Sequence, residues 1–342
     1  MDRRDFLRTT AAAAAASALV GGSASAQNSA TARRPESPKM IYRELGRTGE
    51  RVSAIGLGGY HVGKQSDAQE SIRLIRTAID RGITFMDNCW DYNGGVSEVR
   101  MGQALGDGYR RRVFLMTKID GRDAKTAAQQ MEQSMSRLQT EVIDLMQFHE
   151  CIRLDDPDRI FAPGGALEAV LAAQKAGKVR YIGFTGHKDP AVHLRMFEEA
   201  AKHNFHFDTV QMPINVMDAH FRSFLHNVAP VAQQQGTAIL AMKTFGDHFI
   251  LDSHTVTPME ALHFSLNSPA SVVITGIDSP QVMDQAFEAV ASFKPMSEAQ
   301  VAALLEKTRN AAMTGNYELF KTSPHFDGTI HNPQYLGPAY KA

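Results

Sequence analysis

Four residues that can take part in acid–base chemistry lie at or just beyond the ends of short apolar segments of this sequence. These residues are Asp87, Tyr92, Lys118 and His149. The segments that lead to them are ITFMDNCWDY (83–92), VFLMTK (113–118) and IDLMQFH (143–149). Buried parallel strands present ionisable side chains at their C-terminal ends in this way. A tyrosine, a lysine, a histidine and a carboxylate that meet there are suited to proton donation to a carbonyl oxygen.

Each of the four residues has an expected role in the reduction of an aldehyde or ketone. Negative charge builds on the carbonyl oxygen as hydride reaches the carbon, so a proton donor must meet that oxygen. Tyr92 is the expected donor, and the ammonium group of Lys118 is expected to lower its pKa from about 10. Asp87 is expected to keep the ammonium of Lys118 charged and to orient it. His149 is expected to hydrogen-bond the substrate oxygen and orient it.

The elements that must position these residues follow a regular alternation after residue 41. Short β-type segments lie at 54–57, 83–87, 113–117, 142–148, 179–184, 208–212, 238–242 and 271–275. Helical patterns lie at 66–82, 97–106, 123–138, 166–176, 189–203, 221–235, 258–267 and 280–292. Eight strands that alternate with eight helices predict an α/β fold, a (β/α)8 TIM barrel of parallel strands.

Additional segments are expected at both ends of the barrel. Residues 42–59 predict a β-hairpin that closes the N-terminal end of the barrel. Residues 297–312 predict a further helix, and 313–342 an irregular tail that shapes the barrel mouth. In the first barrel helix, Ser66 is the expected N-cap and Gly82 the residue after the C-cap.

The bulk composition argues against two classes of function. The 342 residues carry a net charge of −1, from 36 basic and 37 acidic side chains, with no clustered basic stripe for a nucleic acid. No apolar run approaches the roughly 20 residues that a membrane-spanning helix needs. Cys89 and Cys151 follow strands that are not neighbours in the predicted barrel, so free thiols are expected rather than a disulfide.

The N-terminal segment reads MDRRDFLRTTAAAAAASALVGGSASAQ. An arginine pair precedes an alanine-rich stretch, and Ala24-Ser25-Ala26 has the small residues of a cleavage site. The segment resembles a twin-arginine (Tat) export signal, which implies the Tat machinery as a partner and a periplasmic location. A basic tail that is not a signal is the alternative. The expected organisation is a signal at 1–26, a linker at 27–40 and the barrel at 41–342.

Six motifs resemble those of the aldo-keto reductase family. They are ELGRTGERVSAIGLGG, GITFMDNCWDYNGGVSEVRMGQAL (82–105), MTK (116–118), FH (148–149), VQMPINVMD (210–218) and VVITGIDSPQVMDQ (272–285). This resemblance implies an oxidoreductase that interconverts a carbonyl (an aldehyde, ketone or sugar) and an alcohol. It also implies the roles given above to the four residues.

The resemblance further implies a nicotinamide cofactor and its binding residues. The expected cofactor-binding residues are Thr185, Gln211, Lys243, Gly276, Ile277, Ser279, Gln281, Asp284 and Gln285. Gly186 stands where the family usually has asparagine, and no basic residue occurs in 276–285 to meet a 2′-phosphate. Asp278 would repel such a phosphate. NADP(H) is favoured on family frequency, and NAD(H) stays open.

Two other functions are compatible with parts of this sequence. A protein on the same fold could bind a nucleotide and regulate or sense without catalysis. A metal-dependent hydrolase could instead use ligands from the set His61, Asp87, His149, Glu150 and His187. The sequence has no HxH or HExxH spacing to support the metal site, and a lysine paired with a tyrosine fits it poorly.

Overall fold

The computed structural model of the protein describes residues 40–336, and within them a closed barrel of eight parallel strands carries the fold. The barrel strands are β3 (Ile55–Gly58), β4 (Phe85–Asp87), β5 (Phe114–Ile119), β6 (Ile143–Phe148), β7 (Val179–Thr185), β8 (Thr209–Pro213), β9 (Ala238–Met242) and β10 (Val272–Gly276). Each strand pairs with the next in the chain, and β10 closes the barrel on β3. The predicted (β/α)8 barrel is confirmed.

The helices surround the barrel and extend beyond it at the C-terminal end. They are α1 (Gly59–Val62), α2 (Ala68–Asp80), α3 (Val96–Leu105), α4 (Ala124–Leu138), α5 (Asp156–Phe161), α6 (Ala166–Lys175), α7 (Pro190–Lys202), α8 (Phe224–Asn227), α9 (Ala229–Gln235), α10 (Phe249–Asp252), α11 (Pro258–Asn267), α12 (Pro280–Ser292), α13 (Glu298–Ala312) and α14 (Leu319–Thr322). The predicted extra helix is α13. The described part of the tail, up to residue 336, contains α14 and three short 3-10 turns.

The three strands that lead to Asp87, Lys118 and His149 are buried along their whole length. Every residue of β4, β5 and β6 is buried, as expected for strands that face a packed interior on one side and helices on the other. The helices cover the barrel with one apolar face, and α2 buries Leu74, Ile75, Ala78 and Ile79. Strand ends and loops at one end of the barrel are therefore left to form a pocket.

The predicted N-terminal hairpin pairs β1 (Tyr42–Glu44) with β2 (Arg51–Ser53). Leu45 and Val52 join a separate buried cluster with Phe85, Phe114 and other barrel residues. Gly46 has a positive φ of 55°, and a Cβ atom there would lie 2.8 Å from the backbone nitrogen of Ala238. The hairpin closes the end of the barrel opposite the strand C-termini.

Two local expectations are wrong. The N-cap of α2 is Asp67 rather than Ser66, because the Asp67 carboxylate accepts a hydrogen bond from the backbone N–H of Gln69 at 2.9 Å. The pattern at 221–235 predicts one helix, but the chain forms α8 and α9. Pro230, in the first turn of α9, has no N–H to continue a helix from α8.

Two further expectations concern the cysteines and the membrane. Cys89 and Cys151 are both buried and both free, which confirms that they form no disulfide. Across residues 40–336, none of the helices has the length and apolar character needed to cross a bilayer.

Candidate active site

Three of the four expected catalytic residues meet around one buried ammonium group. Lys118, in β5, is only 1% exposed, and its Nζ contacts the carboxylate of Asp87 at the end of β4. The same nitrogen lies 2.7 Å from the carbonyl oxygen of Asn88 and 3.1 Å from the hydroxyl oxygen of Tyr92. Tyr92 is placed by the 3-10 turn Tyr92–Gly95 that follows β4. The adjacent strands β4 and β5 thus bring a carboxylate, an ammonium and a phenol together.

His149 lies beside this group, directly after β6. Its ring centroid is 5.8 Å from that of Tyr92, with the two rings nearly perpendicular. Its Nδ1 lies 2.7 Å from Oδ1 of Asp120 and 3.3 Å from Sγ of Cys89. The sequence reasoning missed Asp120, although it follows Lys118 by two residues at the end of the same strand. That position was the available signal.

The protonation of Tyr92 differs from the sequence expectation. Burial raises the pKa of Tyr92 well above its ordinary value, and the nearby carboxylate of Asp87 raises it further. The expected lowering by Lys118 is wrong because burial of the phenol outweighs it, and the Asp87 carboxylate that the ammonium contacts adds to the rise. Burial also raises the pKa of Asp87. The phenol therefore holds its proton, as a proton donor must.

A cavity of about 660 Å³ opens above these residues. The four residues Asp87, Tyr92, Lys118 and His149 all line it. The other lining residues come from the C-terminal parts of the barrel strands, from α1, from the loops around the barrel and from the tail: Gly58, Tyr60, His61, Lys64, Asp91, Asn93, Glu150, Thr185, His187, Gln211, Met242, Lys243, Thr244, Phe245, Asp247, Ile274, Thr275, Gly276, His325, Phe326, Asp327, Gly328 and His331. Its size suits a cofactor together with a small substrate.

Four of the nine expected cofactor-binding residues line this cavity. They are Thr185 at the end of β7, Gln211 in β8, Lys243 after β9 and Gly276 at the end of β10. Burial lowers the pKa of Lys243 to about 8, and its Nζ lies 3.9 Å from the ring centroid of Phe326. Gly186 accepts no side chain, because a Cβ atom there would lie 2.2 Å from the carbonyl oxygen of Cys151.

The other five expected cofactor-binding residues lie beside the cavity rather than in its wall. Ile277 is fully buried, and the Ser279 side chain caps α12 by accepting from the N–H of Val282. Gln281 and Asp284 are exposed on α12, and Gln285 is half-buried. The Asp284 carboxylate pairs with Arg81 at 2.6 Å. The sequence reasoning missed this arginine, which brings a basic side chain to α12 from the end of α2.

The cavity wall offers a nicotinamide cofactor one buried acceptor that has no partner within residues 40–336. Oε1 of Gln211 is buried and has no hydrogen-bond partner among the described residues, so it can accept from a carboxamide N–H. At Gly276 a Cβ atom would lie 2.3 Å from the ring of His61, so this position admits no side chain. The residues present are therefore compatible with the cofactor that the resemblance implies.

The tail closes one side of the cavity through contacts with the barrel loops. Glu150 accepts hydrogen bonds from the backbone N–H groups of Gly328 at 2.8 Å and Thr329 at 2.7 Å. Burial opposes the charge of Glu150, but the nearby rings of His187 and His149 and the hydrogen bond from the Thr329 N–H lower its pKa below the ordinary range. Asn332 donates to the carboxylate of Asp91 at 2.9 Å. A charged carboxylate at position 150 thus anchors the tail.

The structure does not bring together the five residues considered as metal ligands of a hydrolase. In the described part of the chain, the cluster whose ligand atoms approach within 4.8 Å consists of Cys89, Asp120 and His149. Only His149 belongs to the set expected from the sequence. Glu150 and His187 instead hold the tail, because Glu150 accepts from Gly328 and His187 Nδ1 lies 3.1 Å from the backbone oxygen of Phe320.

Comparison with known proteins gives the family. Residues 54–304 match the model of the aldo/keto reductase family, and residues 1–20 match that of the twin-arginine translocation signal sequence. The chain is 34% identical over 164 residues to an uncharacterized oxidoreductase, YrpG, and 32% identical over 209 residues to the aldo-keto reductase YhdN, both from Bacillus subtilis. These matches cover 42% and 57% of this chain, and 48% and 59% of the relatives. The chain thus spans about half of their length.

Solved structures give the same fold. An aldo-keto reductase from Bacillus halodurans in its holo form superposes with a TM-score of 0.67 at 20% identity, covering 79% of this chain and 96% of the other. An aldo/keto reductase from Klebsiella pneumoniae in complex with NADP and acetate gives a TM-score of 0.62 at 21% identity, covering 78% and 95%.

Proposed function

Because the chain belongs to the aldo/keto reductase family, we propose that it is a nicotinamide-dependent oxidoreductase that interconverts a carbonyl group and an alcohol. The observation that carries this proposal is the position of the Tyr92 hydroxyl, which lies 3.1 Å from the buried ammonium of Lys118 and lines the cavity together with His149. This arrangement places an acid where negative charge forms on a carbonyl oxygen.

The proposed mechanism assigns the proton to Tyr92. A bound nicotinamide cofactor supplies the hydride in reduction and accepts it in oxidation. Tyr92 donates its phenolic proton to the carbonyl oxygen, and the Lys118 ammonium stabilises the phenolate that remains. Asp87 fixes the ammonium through its carboxylate, and His149 orients the carbonyl oxygen. In the oxidative direction the Tyr92 phenolate accepts the alcohol proton.

We propose that the cofactor lies along the ends of β7 to β10. Gln211 is suited to its carboxamide and Thr185 to a neighbouring contact, while Lys243 is suited to the pyrophosphate. Gly276 and Ile277 would offer backbone groups. Ser279 and Gln281 are the candidates for ribose or phosphate contacts, and Asp284 and Gln285 for adenine. NADP(H) is favoured over NAD(H), as in the Klebsiella pneumoniae reductase with NADP.

We further propose that the protein is exported with its cofactor already bound. The signal-like residues 1–20 imply the Tat machinery, which transports folded proteins, and a cleavage after Ala26 would leave residues 27–342 in the periplasm. Free nicotinamide nucleotides are scarce outside the cytoplasm. A retained cofactor would have to be recycled in place by oxidising one substrate and reducing another.

One preparation tests the function and the retained cofactor. The mature protein is purified without added nucleotide and denatured, and the released nucleotide is identified by mass spectrometry. We expect NADP(H) or NAD(H), and the protein should then reduce a simple aldehyde such as p-nitrobenzaldehyde. Nucleotide without turnover on any carbonyl or alcohol probe would favour the non-catalytic alternative. Turnover with added nucleotide, but no nucleotide released, would contradict the retained cofactor.

A further inference from the structure

We propose that Asp120 is a positioning residue that holds His149 as a doubly protonated imidazolium, so that His149 adds a second acid to the carbonyl site. The proposal rests on the function proposed above. It concerns a residue outside the four to which the family resemblance gives a role.

The geometry of the Asp120–His149 pair fixes one ring nitrogen. Oδ1 of Asp120 lies 2.7 Å from Nδ1 of His149, so Nδ1 carries a proton and donates it. The side chain of Asp120 is fully buried, and its Oδ2 has no hydrogen-bond partner among the described residues. The side chain of Gln130 fixes the backbone at Asp120, because the N–H groups of Asp120 and Gly121 donate to Oε1 of Gln130 at 2.9 and 2.8 Å.

A buried carboxylate needs a compensating positive charge, and His149 is the group positioned to supply it. Arg122 is near in sequence, but its Nε pairs with Asp156 at 2.9 Å and its Nη1 bonds the backbone oxygen of Asp120 instead. An imidazolium at position 149 would therefore neutralise Asp120. The proton on Nε2 is then free to meet the carbonyl oxygen.

Other groups around His149 also favour its protonated form. The titratable and charged groups that face it are Asp87, Cys89, Asp91, Tyr92, Lys118, Asp120, Arg122 and Glu150. Carboxylates are the largest class among them, and Lys118 is paired with Asp87. Burial raises the pKa of the Cys89 thiol well above its ordinary value, so Cys89 stays neutral beside Nδ1. The carboxylates thus stabilise a positive ring.

The consequence for the reaction is a defined pH dependence. An imidazolium loses one ring proton, and with it its charge, as the pH rises. Reduction should therefore slow on the alkaline side as His149 becomes neutral. Removal of the Asp120 charge should move that alkaline limb to lower pH.

The test combines nitrogen-15 NMR of histidine-labelled mature protein with the kcat–pH profile for p-nitrobenzaldehyde. The His149 signals are assigned by their absence in His149→Gln. We expect an imidazolium at pH 7 in the wild type, and a titration midpoint lower by about one pH unit or more in Asp120→Asn. We also expect kcat to fall about tenfold or more with little change in cofactor affinity, and Asp120→Glu to restore part of both effects.

Asp144→Asn is the matched control. Asp144 is also a buried aspartate of the barrel, but it pairs with Arg110 at 2.8 Å and Arg180 at 2.7 Å, outside the cavity lining. We expect this variant to lose stability while the His149 midpoint stays unchanged. A neutral His149 in the wild type at pH 7 would overturn the proposal, whether or not Asp120→Asn folds. An equal midpoint in wild type and Asp120→Asn would also overturn it. Because the NMR readout needs no turnover, either result is distinguishable from failure of the proposed function.

Discussion

Lys118 and Lys321 are both buried lysines, 1% and 2% exposed, with similar contacts but different surroundings. Lys118 contacts Asp87, the backbone oxygen of Asn88 and the hydroxyl of Tyr92. Lys321 also contacts three acceptors, but it is not among the residues that line the cavity. A buried lysine–aspartate pair is therefore no sign of catalysis by itself. The phenol and the open cavity distinguish the two sites.

The site around Lys321 joins the tail to the loop after β8. Its Nζ lies 2.7 Å from Oδ1 of Asp218, 2.7 Å from the backbone oxygen of Phe221 and 3.0 Å from Oε1 of Glu318. Asn215 donates to the same Glu318 oxygen at 3.1 Å. The side chains of Lys321, Asp218 and Glu318 are fully buried and none of them lines the cavity, so this site is suited to hold the tail rather than to bind a ligand.

Lys118→Met should have the largest effect on activity. Loss of the ammonium leaves the Tyr92 phenolate without its stabilising charge, so reduction of p-nitrobenzaldehyde should slow about 100- to 10,000-fold. The protein should still fold, because Asp87 faces the cavity and can be protonated or hydrated. Steady-state kcat and circular dichroism check this. A kcat near the wild-type value in Lys118→Met would contradict the catalytic role that separates Lys118 from Lys321.

Lys321→Met should have the opposite effect: a loss of stability with little change in activity. Removal of one partner leaves the buried carboxylates of Asp218 and Glu318 without their cation, and the free energy of unfolding should fall by about 3–5 kcal/mol. The kcat per folded molecule should stay near the wild-type value. Urea unfolding and active-site titration measure the two quantities. Wild-type stability with a large loss of kcat would contradict the structural role.

Glu318 should make the stability of the tail depend on pH. Burial raises the pKa of Glu318 to about 7, while the Lys321 ammonium partly opposes that rise. The folded pKa is above the unfolded one, so the contribution is present at acidic pH and lost as the pH rises from about 4.5 through 7. The loss can reach about 3 kcal/mol.

Replacement of Glu318 by glutamine isolates this contribution. The Glu318→Gln variant should lose stability less steeply than the wild type over that pH range in urea titrations. Glu141→Gln, at an exposed position, is the matched control and should follow the wild-type curve. A Glu318→Gln curve parallel to that of the wild type would show that Glu318 does not titrate in this range.

Lys188→Ala should have the smallest effect. Lys188 is half-buried and pairs with Asp327 at 2.8 Å and the backbone oxygen of Ser323 at 2.6 Å, so it supports the tail from outside. We expect a loss of at most about 1 kcal/mol in the unfolding free energy. The KM for the aldehyde should rise modestly, because Asp327 lines the cavity, while kcat stays constant. A fall in kcat without a change in KM would contradict this account of the tail.

The site of Lys118 was predictable from the sequence, and that of Lys321 was not. Asp87, Lys118 and His149 each come at the end of a local apolar segment, and the alternation of elements fixes the end of the barrel at which they meet. Asp218 and Lys321 are 103 residues apart and lie in short helical turns outside the strand–helix alternation, so no local pattern links them. Only packing of the tail brings them together.

Within the active site, protonation states and side-chain contacts could not be predicted from the sequence. The Lys118–Tyr92 pair was predictable, but the protonated state of Tyr92 depends on burial and on the carboxylate of Asp87, which sequence patterns do not quantify. Asp120 was missed because its role depends on the side-chain contact with His149. Arg81 was missed because it reaches Asp284 across two helices that are far apart in the sequence.

The central claim is that Tyr92 donates the proton in a carbonyl reduction. The most direct measurement compares wild type and Tyr92→Phe in single-turnover oxidation of bound reduced nicotinamide by p-nitrobenzaldehyde, with nucleotide affinity measured in parallel. We predict unchanged affinity and hydride transfer slowed about 100- to 10,000-fold in Tyr92→Phe. Hydride transfer at the wild-type rate in Tyr92→Phe would contradict the claim.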